Sequence, residues 1–415
     1  MPASLPSYDE AASLVAAPIA LNLARRSATE SVDLAHAAGR VLANQVVADR
    51  DMPPFPRSTR DGFACLAAEA STHEFLFIAG TIRAGDPPTG PLPPASVWEI
   101  MTGAAVPPGA DAVMMLEHVE QADLKVRLLP PRTLEPGDNV VAAAEEAQAN
   151  DEIVPAGSRL TPAQIAAAAT CGYTSLEVFR KPRVAILTTG DELVSVDENP
   201  APGKIRNSNA PMLAALVAQA GGEPWILPAA GDNTAEIEAV LREAIEADLV
   251  LISGGVSAGK FDLVEPVLAR LGAQLHFTGV RIQPGKPLVF CEIPRGELPL
   301  VPAFGLPGNP ISSAATFLLF AAPVLAALAG SNEVRPHFSV AVLTREVKGK
   351  PGLTRFVPSA CVFHPLNAAN PEVAPVNWHG SGDIAAFAHA NCFVVVPEGI
   401  DKVSPGDLVR ILPFF

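Results

Sequence analysis

The chain has 415 residues, 49% of them hydrophobic and 18% charged, with a net charge of −15. This composition supports sizeable cores and excludes a disordered chain, and the length suits about two to four domains. The acidic balance excludes a nucleic-acid-binding face, which must be basic, so an anionic ligand has to be held by local loops.

The 42 prolines are about twice the usual share of ~5% and point to turns and short strands. The five cysteines, Cys65, Cys171, Cys291, Cys361 and Cys392, are odd in number and widely spaced. They read as buried free thiols of a reducing, cytoplasmic compartment. Asp9 and Glu10 precede the first apolar stretch, so no signal peptide is expected.

Residues 1–50 are predicted to be mostly helical, ending in a strand over Gln45–Ala48. Asp51–Pro56 holds three prolines and is an extended connection. Arg57–Ala64 follows, and its Asp61-Gly62 pair suits a turn. Residues 75–129 alternate short apolar runs with Gly/Pro turns, as a small β-rich domain does. Glu135–Asp151 is an acidic loop. Thr161, Pro162 and Gln164 mark a helix start with a capping box, and Gly172 ends that helix.

Residues 182–329 read as an α/β domain. Strands are expected at Val184–Leu187, Trp225–Leu227, Leu249–Ile252 and Leu288–Ile293, and helices at Met212–Ala220 and Ala235–Ala247. Four strands deliver polar loops bearing Gly or Asp to one edge, which is where doubly wound sheets bind ligands. Ile311–Asn332 carries no charge, but Pro323 interrupts it and Ala and Ser fill it. Buried core helices, and no membrane span, are expected there. From Pro336 on, strands near 338–343, 355–363, 392–397 and 408–412 suit a small barrel or sandwich.

The stretch from Asp248 to Asp262 combines a buried-strand run with a glycine loop and a helix start. Such a unit cradles anions. Gly254, Gly259 and Lys260 also begin a nucleotide-binding P-loop, but the next position, which should be Ser or Thr, is Phe261.

Several segments together resemble the molybdopterin molybdenumtransferase family, which includes the C-terminal part of gephyrin-type proteins. They are Pro54–Ala64, Thr102–Pro107, Thr189–Leu193, Asn207–Asn209, Ser253–Gly259 with Asp262, Pro284–Pro287 and Gly305–Pro310. The resemblance implies an elongated multidomain chain of class α/β plus β, with a doubly wound molybdopterin-binding-type α/β domain over 182–329. It also implies a split N-terminal domain (1–50 and 150–181), a β-rich small domain (51–149) and a C-terminal β-barrel domain (330–415). The implied reaction inserts molybdate into adenylylated molybdopterin and releases AMP, assisted by Mg²⁺. A homodimer is implied, with the site between the α/β domain of one subunit and the Asp61 domain of the other, and an upstream adenylyltransferase as a partner. The alternatives are the adenylyltransferase reaction itself, a tungstate-using paralogue, and a non-catalytic molybdopterin-binding scaffold.

By the same resemblance Asp61, Thr102, Glu192 and Asp262 are catalytic, and Asp61, Glu192, Asp232 and Asp262 are the metal-holding carboxylates. Substrate binding falls to Ser208, Asn209, Gly254, Gly255, Ser257, Lys286, Pro307, Gly308, Asn309, Arg355 and Ser381. Glycine-loop N–H groups bind phosphates without net positive charge, and Lys286 neutralises one. Plainer roles stand beside these: an N-cap for Asp262, a turn for Asp61 or Asp232, a first-turn acid for Glu192, a loop hydrogen bond for Ser257. Gln283 stands where many members carry Lys. Val141–Ala144 replaces a stretch that usually carries arginines, and Glu146 replaces an Asp. The readings of this lost positive charge are compensation by Arg57 or Arg60, a shifted substrate, and a paralogue with reduced activity.

Overall fold

The computed structural model describes residues 5–23, 28–72, 74–87, 90–256, 263–363 and 370–414. Two compact units emerge, one of residues 1–43, 157–160 and 176–415, the other of residues 44–156 and 161–175.

The larger unit is built on a six-stranded sheet. Its order is Glu223–Ile226, Arg183–Thr188, Leu249–Ser253, Leu298–Leu306, Val289–Arg295, Gln274–Phe277. The first four strands are mutually parallel, and each of the last two runs antiparallel to its neighbour. Side chains alternate between two cores. Val184 and Ile186 enter one, and Ala185 and Leu187 the other. This two-sided burial explains the unbroken apolar runs. Helices Thr234–Ala244 and Val264–Arg270 supply one core, and Asn209–Gln219 and Pro310–Thr316 the other.

The uncharged run is a 19-residue helical stretch, Pro310–Leu328, whose most apolar window is 83% buried. It is therefore a core element. Its centre is a π-helical turn, Phe317–Ala321, and Pro323 follows directly on it in the segment Ala322–Leu328. Phe317 and Phe320 are fully buried, each stabilising the fold by roughly 1.5–3 kcal/mol.

The C-terminal part of this unit is a closed five-stranded barrel. Thr354–Val362, Glu372–Pro375, Ser339–Leu343, Leu408–Pro413 and Cys392–Val396 follow one another, and the last pairs back onto the first. Closure removes exposed strand edges. Leu343, Val357, Val394 and Ile411 lie in the barrel's own core, while Phe356, Phe393 and Leu412 join the core above the α/β sheet.

The first 50 residues are less helical than predicted. The helix Tyr8–Leu23 is followed by a strand, Thr29–Asp33, that pairs with Ser175–Phe179. That pairing spans some 145 residues, and such a long-range partner overrides local preference. The helix is anchored by Tyr8, which meets Phe320, Phe338 and Phe356 edge-on.

The smaller unit holds a second six-stranded sheet, ordered Ala112–Met115, Gly62–Cys65, Ser96–Ile100, Leu76–Ile82, Lys125–Leu128, Val119–Ala122. Asp61 precedes its Gly62–Cys65 strand. Gly62 is required by packing rather than by a turn: a Cβ there would lie 1.9 Å from the Met114 carbonyl oxygen. This unit also contains helix Pro162–Thr170, with the Thr161–Gln164 capping box formed and Gly172 at φ +84° just beyond its end.

All five cysteines are free and buried. Burial pushes the Cys65, Cys291 and Cys392 thiols up to about 12, so none is a ready nucleophile.

Candidate active site

A cleft of about 810 Å³ opens at the carboxyl edge of the four parallel strands. The loops that follow those strands build it: Thr189–Leu193 after Arg183–Thr188, Asp232 after Glu223–Ile226, Gly254–Val256 after Leu249–Ser253, Pro307–Pro310 after Leu298–Leu306. Pro287 joins them because the antiparallel strand Val289–Arg295 begins at this same edge, with Val289 opposite Gly305.

Amide side chains hold these loops together. The Asn209 amide donates to Ser253 Oγ at 2.9 Å and to the Gly308 carbonyl at 2.6 Å, joining two strand ends. Asn207 donates to Thr188 Oγ1 at 2.8 Å and caps Ala210 N at 3.2 Å. Gly254 and Gly255 have φ of +103° and +64°. A Cβ on Gly254 would stand 2.5 Å from the Thr189 carbonyl oxygen, so only glycine lets this loop lie flat on the cleft floor.

The cleft gathers many of the residues singled out from the sequence: Glu192, Asp232, Ser208, Asn209, Gly254, Gly255, Pro307, Gly308 and Asn309 all line it. Ser381 stands beside it, its hydroxyl accepting from the Asn309 amide at 3.0 Å and its carbonyl from Ile311 N at 3.1 Å. Ile311 N–H at this helix start is thus already engaged, and Gly254 N–H donates to the Leu306 carbonyl at 3.1 Å. Neither is a free phosphate donor as arranged here. Lys286 is exposed and does not line the cleft, although Pro287 next to it does. Arg355 pairs in register with Gln283, donates to the Lys348 carbonyl, and is also outside the lining; burial lowers its pKa. Ser257 and Asp262, with Gly259, Lys260 and Phe261, lie outside the described residues.

Asp61 and Thr102 belong to the smaller unit, where they form a direct pair. Thr102 donates to Asp61 Oδ1 twice, from its backbone N–H at 2.7 Å and from its hydroxyl at 2.9 Å. These two bonds, the backbone one foremost, hold the exposed Asp61 carboxyl below its ordinary range and keep it ionised. A folded-state pKa below the unfolded value gives a stabilising contribution that is present above about pH 3.9 and lost as pH falls through the folded pKa. Thr102→Val removes only the hydroxyl bond. The Asp61 carboxyl in that variant titrates higher than in the parent but still below the ordinary value, as a carboxylate NMR titration reads directly. An unchanged titration contradicts the bond. Arg57 in the same unit pairs with Glu146 at 2.6 Å, so Glu146 acts there as its counter-charge.

Glu192 and Asp232 are the carboxylates of the cleft. The Glu192 carboxyl lies over Gly190, where a Cβ would come within 2.4 Å of Oε2. Asp232 N–H donates to Asp191 Oδ1 at 3.0 Å and Asp191 N–H donates in return to Asp232 Oδ2 at 3.5 Å, which places the Asp232 side chain at the cleft wall. Among the described residues no three His, Cys, Asp or Glu side chains are gathered as a metal cage. Glu192 and Asp232 are the cleft residues that could hold a divalent cation, and Mg²⁺ needs few protein ligands.

Several lining residues were not among those assigned to the site from the sequence. Arg206 lies immediately before the Asn207–Asn209 segment, and nothing in its spacing marked it. Thr189 is 4% exposed, with its hydroxyl buried and unpartnered beneath the Gly254–Gly255 turn. Gly382 and Ile384 come from the C-terminal part of the chain and wall one side of the cleft.

Residues 6–172 match the family described as MoeA N-terminal region (domain I and II), 185–327 a probable molybdopterin binding domain, and 340–414 the MoeA C-terminal region (domain IV). The chain is 35% identical over 398 residues to a molybdopterin molybdenumtransferase of Nostoc sp., covering 92% of this chain and 88% of that one. It is 34% identical to the protein of that name from Haemophilus influenzae, covering 93% and 94%. A crystal structure of the molybdopterin biosynthesis moeA protein from Pyrococcus horikoshii superposes with a TM-score of 0.79 at 28% identity, covering 99% of this chain and 100% of that one.

Proposed function

The chain belongs to the molybdopterin molybdenumtransferase family, and from that premise we infer that it inserts molybdate into adenylylated molybdopterin and releases AMP. The observation that carries this reading is the cleft at the carboxyl edge of the α/β sheet. Glycine turns and amide-locked loops form its floor, and two carboxylates stand on its wall.

In the reaction the oxygen of a water bonds to phosphorus as the phosphoanhydride P–O bond breaks and AMP leaves, and the two dithiolene thiols bond to molybdenum as one oxo group of molybdate departs as water with their two protons. Those sulfurs belong to the substrate, which accords with five buried thiols in the protein. Glu192 and Asp232 would hold Mg²⁺, which supplies charge neutralisation at the phosphoanhydride. Asn209 fixes the relative positions of the loops, so the ligand meets a preorganised surface. Asp61, ionised and held by Thr102, serves as a second acidic centre for the chemistry. The reading includes a cytoplasmic homodimer supplied by an upstream adenylyltransferase.

AMP release from adenylylated molybdopterin tests this reading, and it is expected only with both molybdate and Mg²⁺ present. ATP consumption with unmodified molybdopterin would instead identify an adenylyltransferase, tungstate outcompeting molybdate would identify a tungstate-using paralogue, and tight binding without turnover would identify a scaffold.

A further inference from the structure

We propose that Arg206 is the side chain of this cleft that binds a phosphate of the substrate. The proposal rests on the reading above, in which the ligand carries a phosphoanhydride.

The charge arrangement poses the problem. Glu192 and Asp232 line the cleft, and among the described lining residues Arg206 is the one Lys or Arg. Among the described lining residues, an anionic ligand therefore meets two carboxylates and a single cation. Other candidate donors are engaged elsewhere. Lys204 Nζ donates to the Asp191 carbonyl, Gly254 N–H to Leu306, and Ile311 N–H to Ser381.

The arginine is built into position. The strand Ile205–Arg206 runs parallel to Leu193–Val194, fixed by Ile205 N donating to the Glu192 carbonyl at 2.8 Å and Asn207 N to the Val194 carbonyl at 2.9 Å. The guanidinium is then held along one edge. Nε donates to the Glu198 carbonyl at 2.9 Å and Nη2 to Asn199 Oδ1 at 3.2 Å. Both acceptors are uncharged, and no carboxylate of a described residue forms an ion pair with Arg206. The end of the fork remains: Nη1 donates to no described residue, and Nη2 has a second hydrogen. Two parallel N–H groups on a planar, permanently charged head match two oxygens of a phosphate. The tether also reduces the freedom the side chain would lose on binding.

Two measurements test the proposal: the KM for adenylylated molybdopterin, and direct binding of inorganic pyrophosphate by calorimetry. Arg206→Ala is expected to raise KM and the pyrophosphate Kd by about 10- to 100-fold, the range of a charged hydrogen bond, with kcat changing by less than about threefold. Arg206→Lys keeps the charge without the fork and recovers part of the loss. Asn199→Ala, which removes one tether but leaves the guanidinium and its bond to the Glu198 carbonyl, raises both values by clearly less than Arg206→Ala does. The proposal is overturned if Arg206→Ala stays within twofold of the parent in both measurements, or if Asn199→Ala reproduces its loss and so traces the effect to the loop. A parent enzyme that releases no AMP counts against the family reaction, while the pyrophosphate titration still reads Arg206. Normal parent turnover with an unchanged Arg206→Ala counts against Arg206 alone.

Discussion

Glu192→Gln and Asp61→Asn each lower the rate of molybdate-dependent AMP release by about 10²-fold or more, the scale of a positioned acid, base or charge-holding group. Both substitutions isolate charge from shape. Gln at 192 keeps the side-chain length that fills the space over Gly190. It withdraws the negative charge from a cleft in which Asp232 is the other lining carboxylate. Asn at 61 keeps an oxygen to accept the two Thr102 bonds, so the local fold is retained while the ionised centre is lost. Rates within about twofold of the parent would remove both residues from the chemistry.

Gly62→Ala is the substitution expected to damage the fold most, by about 3 kcal/mol, the upper part of the usual range for overpacking. The added methyl would stand 1.9 Å from the Met114 carbonyl oxygen, inside the register that pairs Gly62–Cys65 with Ala112–Met115. Neither strand can yield without loss, because Phe63, Cys65, Ala112 and Met114 are all buried in one core. Amide hydrogen exchange over both strands would accelerate accordingly. Gly90→Ala makes the control: a Cβ there meets nothing within 4 Å, and its exchange rates stay at the parent level. Unchanged protection in Gly62→Ala would mean that the two strands do not pair so closely.

The turn expected at Asp61-Gly62 captures only part of what this pair does in the fold. A turn was legible there, yet the glycine serves a close strand approach, which depends on Met114, more than 50 residues downstream. The α/β sheet was readable because its strands are apolar on both faces and end in glycine-bearing loops. These local signals agree with the tertiary outcome. The cleft followed from them, since parallel strands deliver their loops to one edge. The contribution of Ser381, Gly382 and Ile384 was not legible as a wall, because it depends on a contact across 72 residues between Asn309 and Ser381. Arg206 escaped for a different reason: its importance lies in which other cations are absent from the lining or engaged with carbonyls, and that census exists only in three dimensions. The helical expectation for residues 1–50 failed where Thr29–Asp33 finds a distant strand partner.

Single-turnover incubation of the enzyme with adenylylated molybdopterin and Mg²⁺, with and without molybdate, is the most direct test of the proposed reaction. AMP and pterin-bound molybdenum are counted together. Molybdate is expected to trigger AMP release, with equal amounts of AMP and pterin-bound molybdenum formed. AMP released at the same rate without molybdate, or released with no molybdenum on the pterin, would contradict it.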